Sequence, residues 1–158
     1  MKITINPKLT LEQLVKKGNY NYNYVNSEFK LPGAINKAAE FELIQEKTLI
    51  TTQELWDKYG SELATIREVL EFGHQHPDAQ RKDFIVGIEK VGELFWCAVL
   101  RGDDSRRGLD VRQDLPVGQW DDVFRFLRRK SLDSGKLGSS VSWPLEELEI
   151  NGIKYRKV

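Results

Sequence analysis

Two histidines stand close together in His74-Gln75-His76-Pro77-Asp78, and the chain has no others. Imidazoles with acids nearby are the ordinary ligands of a catalytic metal. They would suit a small metal-dependent hydrolase or nuclease built on His74 and His76. At i and i+2 the two rings diverge on a helix and converge only on a strand or loop. No second ligand cluster follows in the sequence. The competing reading is structural: histidines that close a helix before Pro77 sit favourably against its negative end.

A second set of candidates lies between Arg101 and Asp122. Asp103-Asp104-Ser105-Arg106-Arg107-Gly108 is a charged connection, and Trp120-Asp121-Asp122 precedes an aromatic, basic stretch. A calcium loop needs six to eight oxygens at ordered spacing, and no D-x-D-x-D-G run occurs here. Arginine and tryptophan interleaved in this way suit a protein or peptide interface, where both are enriched. The candidate binding residues are therefore Arg101, Asp104, Arg106, Arg107, Arg112, Trp120 and Asp121. Trp120 is the expected anchor. On this reading, alanine at Trp120, Arg107 and Arg112 removes binding and leaves thermal stability nearly unchanged. If the aromatics are core instead, the same changes collapse the fold. No phosphate-binding loop, dinucleotide fingerprint, nucleophile elbow or H-E-x-x-H motif is present. Neither a catalytic residue nor a cofactor is expected.

Composition narrows the partners. Lysine plus arginine number 24 and aspartate plus glutamate 24, giving zero formal charge. Such a balance argues against nucleic acid or an anionic membrane as partner. Between residues 101 and 130 eight cations stand among six acids, a net of +2 that is too small for a nucleic-acid footprint. A protein or a small molecule is the expected ligand. No apolar run approaches the ~20 residues of a membrane span, and the N-terminus does not read as a signal peptide. Cys97 is alone, so no intrachain disulfide forms. Its apolar neighbours, Phe95 to Leu100, suggest a buried side chain. A reducing cytoplasm is the expected setting.

These candidates need elements to position them. The chain has the length of one domain. Residues 1–37 form an N-terminal strand, helix and Asn/Tyr segment, 38–130 the core, and 131–158 a loop and terminal hairpin. Helix starts are marked three times by a threonine followed three residues on by Gln or Glu: Thr10/Gln13, Thr51/Glu54 and Thr65/Glu68. Ile50 and Leu55 have the spacing of a hydrophobic staple around the second. Asn19 to Asn26 alternates Asn and Tyr, which reads as a surface loop or edge strand, or as a stacking platform. Ala38 to Leu49 reads as a strand. Asp83–Glu89 and Leu94–Leu100 are rich in β-formers, with a hairpin turn at Val91-Gly92. Leu109–Arg112 is a short strand. Residues 121–130 fit a helix or a strand equally by periodicity. Ser131–Ser142 reads as a loop. Asn151-Gly152 joins Glu147–Ile150 to Ile153–Arg156 as a hairpin. Helices in the first half and strands in the second make the class α+β.

Two segments resemble the C-type-lectin-like fold, in the branch of formylglycine-generating enzymes and retroelement variable proteins. Leu63-Ala64-Thr65-Ile66-Arg67-Glu68-Val69-Leu70-Glu71 resembles that branch's LPTEAEWE segment. Val123-Phe124-Arg125-Phe126-Leu127 resembles its terminal GFRL strand. The layout from Tyr22 to Lys130 is also similar to a set of short bacterial proteins with a YVNS start and an aromatic-basic ending. The resemblance implies two helices packed on an irregular antiparallel sheet, a strand at 123–129, and a binding surface in the connections 101–122. Formylglycine-generating enzymes act through a cysteine pair, and this chain has Cys97 alone. Calcium-dependent lectins use an acid-Pro-Asn loop and a Trp-Asn-Asp run; Trp120-Asp121-Asp122 matches the second loosely, and the first is missing. The resemblance therefore implies a binding module without catalysis.

Overall fold

A computed structural model describes residues 1–34, 37–130, 147–150 and 153–156, the last two spans by strand pairing alone. The strands are β1 (Lys2–Thr4), β2 (Tyr22–Val25), β3 (Ala38–Ile44), β4 (Ile50–Thr51), β5 (Phe84–Val91), β6 (Leu94–Gly102), β7 (Arg107–Asp114), β8 (Gln119–Trp120), β9 (Phe124–Arg129), β10 (Glu147–Ile150) and β11 (Ile153–Arg156). The helices are α1 (Leu11–Gly18), α2 (Thr52–Tyr59) and α3 (Ile66–Gln75). Seven strands form one sheet in the order β1-β3-β9-β5-β6-β7-β2. The class is α+β, with a mixed sheet.

Each helix begins where the sequence marks it. Thr10, Thr51 and Thr65 are N-caps in extended conformation, and each makes a complete capping box with Gln13, Glu54 or Glu68. One cap contributes about 1 kcal/mol. Gly92, at positive φ, turns the hairpin between β5 and β6, where Val91 faces Leu94. Residues 124–129 are a strand. β10 and β11 pair antiparallel, Ile150 opposite Ile153. The loop expected at Ser131–Ser142 and the turn at Asn151-Gly152 lie outside the described residues.

Two expectations are corrected. The sheet is not wholly antiparallel: β2 runs parallel to β7, and β5 parallel to β9. Nor do two helices share one face. Strand side chains alternate between faces, and here both faces are buried. Ala98, Leu100, Leu109, Val111 and Leu127 form one core with α1 and α3, through Leu14, Val69, Leu70 and Phe72. Val86, Ile88, Cys97, Val99 and Phe126 form another with Leu55 of α2 and Trp120 of β8. The chain changes face at Leu63 and Ala64, which fall in different cores. There Leu63 bridges to Arg128, and the Ala64 N–H donates to the Leu127 carbonyl at 2.9 Å. This crossing presses on β5 at Gly87, where a Cβ would overlap Val69 and the Ala64 carbonyl. Glycine is what lets the backbones approach.

Candidate functional site

Strand β7 organises the candidate region. Leu109 and Val111 turn into the α1/α3 core. Gly108, Asp110 and Arg112 turn to the opposite face by alternation. On that face the layer of α2, β4 and β8 covers Phe95, Cys97 and Val99. Beyond this layer the sheet face is open. It carries Tyr22 and Tyr24 of β2, Arg101 of β6, Asp110 and Arg112 of β7, and Arg106 from the turn before β7. Tyr22 is 40% exposed and Tyr24 57%.

The geometry is that of cations laid on rings around one carboxylate. Arg101 Nε donates to Asp110 Oδ2 at 3.1 Å, and Arg112 Nη1 lies 3.8 Å from the same oxygen. The Arg106 guanidinium is 4.7 Å from the centre of the Tyr22 ring, and that of Arg101 is 5.6 Å from Phe84. Cation–π contacts of this kind contribute about 0.5–1 kcal/mol at exposed sites. Their larger effect is to anchor the two guanidinium groups over rings of the sheet. Gly108 makes the Tyr22 contact possible, since a Cβ there would overlap the tyrosine ring. The turn that presents Arg106 is held by Asp103, whose Oδ1 accepts the N–H groups of Ser105 at 2.8 Å and Arg106 at 3.0 Å. Those hydrogen bonds, the Ser105 amide foremost, hold the Asp103 carboxyl below its ordinary range.

Of the residues named from sequence, Arg101, Arg106 and Arg112 come together on this face. Asp104 is exposed in the neighbouring turn, where its carbonyl accepts from Arg81 at 3.1 Å. Asp121 is exposed at the turn into β9 and accepts the Val123 N–H at 3.1 Å.

Two of the named residues do not stand on the surface, and the expectation for them is corrected. Trp120 is 2% exposed. Its ring packs edge-on against Phe124 and Phe126, at 4.9 and 5.7 Å. Its indole N–H donates to Thr52 Oγ1 at 2.9 Å, and Thr52 donates in turn to Asp114. Arg107 is 5% exposed. It donates to the carbonyls of Gly18 (2.6 Å), Gly73 (2.8 Å) and Pro77 (3.0 Å) and to Gln80 Oε1 (2.9 Å). A buried guanidinium is tolerable only when its donors are satisfied. This one ties α1, α3 and the turn after α3 to the sheet. Both residues are core, so alanine at either costs stability.

The sequence reading missed Tyr22, Tyr24, Asp110 and Phe84 as members of the face. The Asn/Tyr alternation was the signal for the tyrosines. For Arg107 the signal was its register. It alternates in phase with Leu109 and Val111, so period two places it on their side.

The histidines take structural partners. His74 Nε2 lies 2.6 Å from Glu71 Oε1, and His76 Nε2 lies 2.7 Å from the Lys2 carbonyl. Among the described residues no three His, Cys, Asp or Glu side chains converge as a metal site. A second charged group, Arg67, Glu68, Glu89 and Arg129, lines a pocket of about 50 Å³ beside the start of α3. Its members brace the fold. Glu68 pairs with Arg129 at 2.6 Å, Glu89 accepts the Ile66 N–H at 3.0 Å, and Arg67 donates to the Leu9 carbonyl at 2.9 Å. No helix among the described residues is long and apolar enough to cross a membrane.

No family model, no curated protein and no solved structure matches the chain.

Proposed function

We propose that this chain is a non-catalytic binding module that holds a protein or small ligand on the open face of β6, β7 and β2. The observation that carries the reading is the Tyr22, Tyr24, Arg101, Arg106, Arg112 and Asp110 group. It joins exposed aromatic area to arginines already engaged by rings and by the Asp110 carboxylate. Preorganised donors and rigid rings bind with little ordering cost. Four of the expected site residues, Arg101, Arg106, Arg112 and Asp104, lie on this face or at its border. Arg107 serves it from beneath, and Trp120 from the layer beside it.

The C-type-lectin-like relation belongs to this reading. It is supported by two capped helices, α2 and α3, ahead of strands β5 to β9 and by a strand at Phe124–Arg129. A cytoplasmic setting is supported by the single, buried thiol of Cys97. The zero net charge favours a protein or small molecule over nucleic acid. The alternative of a metal-dependent hydrolase at His74 and His76 draws no support, because each ring is engaged elsewhere.

An NMR screen of fragments and short peptides tests the proposal. Hits should perturb Tyr22, Tyr24, Arg101, Arg106 and Arg112 together. Hits gathered at another surface, with this group unmoved, would refute it.

A further inference from the structure

The sheet has two edges, and they are finished differently. Strand β1 forms one. Its outward groups are occupied by α3: the Thr4 N–H donates to Gln75 Oε1 at 2.9 Å, Gln75 Nε2 donates to the Thr4 carbonyl at 2.7 Å, and His76 meets the Lys2 carbonyl. Gln75 thus plays the part of a neighbouring strand's amide, and the edge is closed.

Strand β2 forms the other edge. The Asn21 N–H donates to the Arg107 carbonyl at 2.8 Å. Alternation then turns the N–H and C=O of Asn23 to β7 and those of Tyr22 and Tyr24 outward. Among the described residues nothing takes these outward groups. Edges are normally guarded by charge, proline or a bulge. Residues 19–26 contain neither a charged residue nor a proline.

Beside this edge runs a cleft of about 560 Å³ between β2 and α1. Leu11, Val15 and Val25 give it apolar walls, and Glu12, Lys16 and Asn23 a polar border. On the opposite side of β2 lies Arg106, stacked on Tyr22. The edge is thus an uncharged strand with the cation Arg106 on one side and an apolar cleft, bordered by both Glu12 and Lys16, on the other. An open row of backbone groups next to a helix-walled cleft is the arrangement that receives a peptide as an added strand.

We propose that the β2 edge binds an extended partner segment of alternating acidic and apolar residues. The segment pairs its backbone with Tyr22 and Tyr24, drops its apolar side chains into the cleft against Leu11 and Val15, and turns carboxylates to Arg106. The proposal rests on the binding-module reading and names its partner. The edge and cleft stand on their own geometry, and only the carboxylate contact borrows from the arginine face.

The test uses the full chain, ¹⁵N-labelled, titrated with a synthetic peptide alternating Glu with Leu or Ile. The expected result is saturable binding that shifts and protects the Tyr22 and Tyr24 amides. N-methylation of the peptide at alternate residues should weaken it about tenfold, the effect of losing two hydrogen bonds. Val15→Ala, which shortens the half-buried cleft wall on α1, should weaken binding while urea unfolding shows the chain still folded. Two outcomes overturn the proposal: binding insensitive to N-methylation, or Tyr22 and Tyr24 amides already protected in the free chain and released by truncation after Lys130. The second would mean the chain's own tail fills the edge. Strand pairing that persists undiminished in Arg106→Ala would support the edge and count against the arginine face. Loss of peptide in Arg106→Ala with no response at Tyr22 or Tyr24 would do the reverse.

Discussion

Replacing Arg107 should damage the fold rather than a binding surface. Its guanidinium bonds three main-chain carbonyls and the Gln80 amide, and stacks 4.8 Å from Tyr20. Arg107→Ala leaves these acceptors buried without donors. Breaking such a buried charged network costs about 3–5 kcal/mol. At 5% exposure, water recovers little of that. Total stability is about 5–15 kcal/mol, so the loss is a large share. For a chain of this size the melting temperature should fall by about 6–20 °C. Arg107→Lys keeps the charge but loses the fork, and should fall between the two. Urea unfolding followed by circular dichroism measures the change directly. A loss under about 1 kcal/mol, with unchanged dependence on urea, would refute the tie that Arg107 is argued to make.

Tyr20 offers the opposite sign. Among the described residues its buried hydroxyl has no hydrogen-bond partner, and burial pushes its pKa up to about 12. Tyr20→Phe removes that unpaired group and should stabilise by about 1 kcal/mol in thermal melts; a fall would mean the hydroxyl is used. Cys97 is buried, and burial raises its thiol to about 12 against the opposing pull of Arg112. It should resist thiol reagents in the native state and react on unfolding, and fast native labelling would contradict the packing. Burial, reinforced by the charge of Glu68, raises Glu89 above its usual 4.5, although the Ile66 amide pulls it down. Its neutral form is the favoured one in the fold, so this contribution is complete below about 4.5 and is lost as pH rises through the raised value. Glu89→Gln keeps an oxygen for Ile66 and should flatten that part of the stability–pH curve; an unchanged curve would contradict it.

Much of the frame is legible in the residues because its signals are local. Three threonine caps fix three helix starts, and Val91-Gly92 fixes a hairpin. What the sequence hides is pairing at a distance. Nothing within Tyr22–Val25 announces that it lies parallel to Gly108–Val111, although that pairing turns two tyrosines and three arginines into one surface. Trp120 misleads because its neighbours, Gln119 and Asp121, are polar and exposed. Only the two-residue pairing of β4 with β8, Ile50 opposite Trp120, seats its ring in the core. The strand at 124–129 is ambiguous by period, since Val123, Phe124 and Leu127 suit a helix as well. Its pairing with β3 and β5 decides the matter.

The central claim is that the open face of β6, β7 and β2 does the binding while Arg107 and Trp120 hold it in place. Peptide ligands selected by phage display on the wild-type chain put this to the question. They should bind a Tyr24→Ala, Arg106→Ala, Arg112→Ala variant at least about tenfold more weakly, while its melting temperature stays within a few degrees of wild type, as expected for positions outside the core. Ligands that bind the triple variant as tightly as the wild type would contradict the account.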